Sequence, residues 1–187
     1  MAEATGEFFY TEHTENPLVV EDLSKKIKPT PKTIVSVCGA GWPVRFQDLF
    51  PDAQVFSFDA NKEQIAEFRE QVHSETGHYP KLLSLESDQF GDFVDGIRDS
   101  TGGVDLLYIS NIPYYLTRDD LQDLVELIGD CEIKGIIFSA LEEYERPGAD
   151  GNSEVLADIL EDIGYEVLRI KNNDFEVKNY FLASLSD

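Results

Sequence analysis

The sequence predicts an α/β fold: a mostly parallel sheet with helices on both faces. Three observations carry that prediction. Short apolar segments alternate with segments of helical periodicity along most of the chain, the pattern of parallel strands joined by crossover helices. Several apolar segments lack period-two alternation, as strands covered on both faces do. The chain closes on two strand-like segments around a polar turn, which predicts an antiparallel pair at the end of the sheet.

Residues 1–32 read as an N-terminal segment with a helix over VEDLSKKIK (20–28), stopped by the Pro-rich PTPK. Phe8, Phe9 and Tyr10 make this segment a candidate lid. The main domain, 33–187, opens with the β-branched strand TIVSVCGA (33–40) and a short helix over WPVRFQDLF, with Pro43 in its first turn. QVFSFDA (54–60) is the second strand. NKEQIAEFREQVHSETG places Ile65, Phe68 and Val72 on one helical face, with Asn61 as cap and Gly77 as stop.

KLLSLES (81–87) reads as the third strand, followed by a weaker helix, DQFGDFVDGIRDS, interrupted by two glycines. VDLLYISN (104–111) is the fourth strand. RDDLQDLVELIGD then sets Leu121, Leu124, Val125 and Ile128 on one stripe. IKGIIFSA (133–140) is the fifth strand. SEVLADILEDIG carries Val155, Leu156, Ile159 and Leu160 on one side. YEVLRIKNN and NYFLASL close the chain as a hairpin-like pair.

Composition narrows the function. Apolar residues are 42% and charged residues 28% of the chain, ordinary values for a globular protein. No apolar run approaches a membrane span of about 20 residues, and MAEATGEFFY lacks the basic and apolar regions of a secretory signal. Cys38 and Cys131 make neither a disulfide framework nor a metal cluster, so the expected setting is reduced and cytoplasmic, with no metal. Thirty-seven acids against fifteen bases give a net charge of −22. Such a surface repels nucleic-acid phosphates and attracts cationic or amine-bearing small molecules.

Ligands of a parallel α/β sheet bind at the carboxyl ends of the strands, near the point where strand order reverses. Three features gather there. Gly39, Ala40 and Gly41 stand at the end of the first strand and let the backbone turn tightly and approach a ligand. Asp59 ends the second strand, twenty positions after Gly39, with Ala60 beside it; that is the spacing at which an acid reaches ribose hydroxyls. Asp88, after the third strand, is an acceptor for an adenine amino group or a helix cap. The fourth strand runs into SNIPYYL, with Asn111, Pro113 and Tyr114 where a plain turn needs no aromatic. ALEEYERPGADGNSE (140–154), containing Tyr144 and Arg146, leaves the same edge as an acidic loop.

Taken together, the glycine segment, the acids after the second and third strands, Asn-x-Pro-Tyr after the fourth and the closing strand pair resemble the class I S-adenosylmethionine-dependent methyltransferases. The resemblance spans roughly 33–187. It implies a Rossmann-like seven-stranded sheet whose last strand is antiparallel, and S-adenosylmethionine as cofactor. NIPYYLT is similar to the Asn-Leu-Pro-Tyr motif of the ribosomal RNA adenine dimethyltransferases. By that likeness Asn111 and the backbone around Pro113 accept hydrogen bonds from a target amino group, and Tyr114 stacks on its ring.

The sequence also departs from the family pattern. Val37 stands where an acid is usual, Pro43 where a third glycine is usual, and Trp42 where small residues are usual. The resemblance implies transfer of a methyl group to an amino nitrogen of a small-molecule or nucleobase-like acceptor. Two alternatives stand beside it: aminopropyl or aminocarboxypropyl transfer to an amine, and a non-catalytic binding module on the same fold. The sequence leaves the acceptor and the oligomeric state open.

Overall fold

A computed structural model describes residues 16–37, 42–59, 78–82, 89–109, 118–130, 133–140, 153–172 and 179–185. Seven strands form one sheet: β1 (Thr33–Val37), β2 (Gln54–Asp59), β3 (His78–Leu82), β4 (Leu106–Ile109), β5 (Gly135–Ala140), β6 (Tyr165–Lys171) and β7 (Asn179–Leu185). Their order is β3-β2-β1-β4-β5-β7-β6. The sheet is mixed. β3 through β5 pair in parallel, whereas β7 runs antiparallel to both β5 and β6.

Five helices lie among the described residues: α1 (Pro17–Ser24), α2 (Trp42–Leu49), α3 (Gln89–Thr101), α4 (Arg118–Asp130) and α5 (Ser153–Asp162). They divide between the two faces of the sheet. Val35, Val37, Leu107, Ile109, Ile136, Phe138, Phe181 and Ala183 face α3, α4 and α5. The alternate residues Ile34, Leu106, Tyr108, Ile137, Tyr180 and Leu182 face α1 and α2. Period-two alternation thus places successive side chains in opposite cores, and because both cores are apolar the strands read as unbroken apolar runs. All five residues of β1 are buried.

The helical stripes behave as their spacing predicts. Leu121, Leu124, Val125 and Ile128 of α4 are all buried, as are Leu156 and Leu160 of α5, with Val155 and Ile159 half-buried against them. α3 forms despite Gly91 and Gly96. Val94 and Ile97 bury its inner face, and Asp92 and Arg98 occupy the ends where their charges suit the helix dipole. Gly102, at φ 83°, takes the left-handed turn after α3 that a side chain would disfavour.

Two elements sit elsewhere than the sequence suggests. The first helix runs over Pro17–Ser24, not 20–28. Asn16 caps it by accepting the Leu18 N–H at 3.0 Å, and Pro17 opens its first turn. The third strand begins at His78, three residues before the expected 81, and residues 83–87 of the expected strand lie outside the described residues. Pro80 argues against a strand interior, but β3 is the edge of the sheet, where proline is tolerated. The helix expected over 61–77 lies outside the described residues.

Candidate functional site

The chain lays β2 and then β3 on one side of β1, then crosses back to lay β4 on the other. The switch point therefore falls between β1 and β4. Val37, the last residue of β1, is level with Phe58 of β2 and with Ile109, the last residue of β4. Asp59 lies one residue further along β2, level with Leu82 at the end of β3. The segments after β1 and β4 thus depart from neighbouring strands at one level, with the end of β2 alongside.

This geometry places the predicted site residues unevenly. Asp59 is at the carboxyl end of β2, as expected. Gly39, Ala40 and Gly41 follow β1, Ala60 follows β2, and Asn111, Pro113 and Tyr114 follow β4; all seven lie outside the described residues, as do Asp88, Tyr144, Arg146 and the Phe8–Tyr10 lid. Asp88 directly precedes α3 in the chain. Val37, at the position where the family pattern has an acid, is fully buried in the core under α3 and α4. Trp42 and Pro43 form the first turn of α2, the helix that follows the glycine segment.

One feature near this edge was not apparent from the sequence. Ser36 is level with Ser57 of β2 and Tyr108 of β4, so three hydroxyl side chains cross the sheet in one row, one residue below the edge. All three residues are buried, and the Ser36 hydroxyl has no hydrogen-bond partner among the described residues. Phe46 of α2 covers the row, its ring edge-on to Tyr108 at a centroid distance of 5.2 Å. The signal was the alternation within TIVSV, which puts Ser36 on the α2 face; what it could not give was the pairing with Ser57 and Tyr108.

The opposite edge is anchored by Asp105. Its carboxylate accepts the backbone N–H groups of Lys32 at 2.8 Å and Thr33 at 3.0 Å, and it pairs with the Lys134 ammonium. Desolvation by burial is the largest single effect and raises its pKa. The hydrogen bonds from Lys134, Lys32 and Thr33 together outweigh that and hold the carboxyl below its usual range. The starts of β1, β4 and β5 are thereby fixed in register, and with them the level of the strand ends that frame the switch point.

No family model matches the chain, and a search of curated proteins finds no match in sequence. Solved structures do match in shape. The chain superposes on an O-methyltransferase family protein from Burkholderia thailandensis with a TM-score of 0.64 and 10% identity, over 91% of this chain and 56% of that one. It therefore spans little more than half of that protein's length. For the N-methyltransferase NodS of Bradyrhizobium japonicum the TM-score is 0.63 at 13% identity, covering 91% and 93% of the two chains. For magnesium protoporphyrin IX methyltransferase of Synechocystis, solved with S-adenosylmethionine bound, it is 0.61 at 13% identity, covering 90% and 76%.

The fold is that of the S-adenosylmethionine-dependent methyltransferases. At these identities the likeness concerns the fold alone. None of the three is an RNA dimethyltransferase, and the finer resemblance of Asn111–Tyr114 to that family gains no support from them. Among the described residues no helix is long and apolar enough to cross a membrane, and no cluster of His, Cys, Asp and Glu could hold a metal ion.

Proposed function

We propose that this chain is an S-adenosylmethionine-dependent methyltransferase acting on an amino nitrogen of a small-molecule or nucleobase-like acceptor. The observation that carries the reading is the position of Asp59. It ends β2 beside the switch point, twenty positions after Gly39, in a fold whose neighbours include a methyltransferase solved with S-adenosylmethionine bound.

The switch point between β1 and β4, and the start of α2 directly after the glycine segment, support such a cofactor. Asp59 would hold the ribose and Asp88 the adenine, with the backbone at Gly39, Ala40, Gly41 and Ala60 in close approach. The cofactor supplies an electrophilic methyl group when bound. The chain's contribution is to orient the acceptor: Asn111 and the backbone at Pro113 accept hydrogen bonds from its amino group, and Tyr114 stacks on its ring. Orientation supplies most of the rate in a direct displacement on a neutral amine, so no strong base is required. With −22 of net charge, a cationic or amine-bearing acceptor suits the surface better than a nucleic acid.

The test is calorimetric titration with S-adenosylmethionine and S-adenosylhomocysteine, at low and at molar salt, on the wild type and on Asp59→Ala. Micromolar binding lost in the variant supports the reading; no binding at either salt overturns it. A second reading, a non-catalytic module, draws on the buried Val37 and on Trp42 and Pro43 at the start of α2, and absence of cofactor binding would favour it. Aminopropyl or aminocarboxypropyl transfer separates from methyl transfer by product mass.

A further inference from the structure

We draw no further inference here: the strongest candidate, the apolar groove between α4 and α5 lined by Val125, Gly129, Ile159, Tyr165 and Leu185, carries nothing because nothing among the described residues shows what covers it.

Discussion

The backbone N–H of Asn16 donates a 2.6 Å hydrogen bond to the hydroxyl of Tyr180, joining residues 164 positions apart. Asn16 is also the cap of α1, so one residue fixes both the start of that helix and its seat on β7. Val20, Leu23 and Ile27 then bury against the sheet. Tyr180→Phe keeps the buried ring and removes the hydroxyl that accepts from Asn16. It should lower stability by about 1 kcal/mol in urea unfolding, with faster amide exchange concentrated in α1. Uniform exchange across the sheet would show that the bond does not seat the helix.

The contact between Ile27 and Gly135 should couple as strongly. A Cβ at position 135 would lie 2.9 Å from Ile27 Cδ1 and 3.0 Å from its Cγ1, so the whole side chain would have to move. Gly135→Ala should therefore cost about 1–3 kcal/mol through overpacking. Ile27→Ala opens the space at its own cost of about 2–5 kcal/mol. The double variant should be clearly more stable than the two single losses added together. Simple additivity would show that the chain relaxes around the clash without cost.

Much of the fold was legible because both cores are apolar and β1 is buried throughout, so short apolar runs separated by stripes such as Leu121–Leu124–Val125–Ile128 have one natural arrangement. The shifts at α1 and β3 have local causes. A cap at Asn16 outweighed the apolar spacing further along, and β3 takes in Pro80 because it is an edge strand, which nothing in the sequence marks. Side-chain partners distant in sequence were not legible: Asp105 bonds Thr33 across 72 positions, and Ser36 meets Ser57 and Tyr108 only once register is fixed. Of the candidate site, the placement of Asp59 at a strand end was legible from spacing alone.

Asp105 gives the clearest pH signature. Its folded-state pKa is depressed below 3.8, so the stability it contributes is fully present above that unfolded value and is lost as pH falls through the lower folded one. Asp105→Asn removes the charge facing Lys134 and presents an amide hydrogen to groups that are themselves donors. At neutral pH it should cost about 2–3 kcal/mol. Plotted against pH, the gap between wild type and variant should stay constant above about pH 5 and narrow below pH 4. A constant gap through the acid range would mean that the ionised carboxylate is not what the backbone N–H groups require.

Arg169 predicts the response to salt. From β6 it reaches Glu161 at 2.7 Å, Glu154 at 3.0 Å and Asp158 at 3.2 Å, all on α5. The bond to Glu161, then that to Glu154, raises the guanidinium above its ordinary pKa, and Arg169 holds the Glu161 carboxyl below its own. These groups are exposed, so the worth of each pair is small. The larger consequence is what remains when the guanidinium is removed: three carboxylates on one helix face with no counter-charge, in a chain already at −22. Arg169→Gln should lower the Tm by a few degrees at low ionic strength. The difference should close at molar salt, where the screening length falls to about 3 Å. It should also shrink on acidification below the 4.5 unfolded value of Glu161, because a carboxylate with a depressed folded pKa stabilises only while ionised. A Tm loss indifferent to both salt and pH would assign Arg169 a packing role, its aliphatic stem covering β6, in place of the electrostatic one.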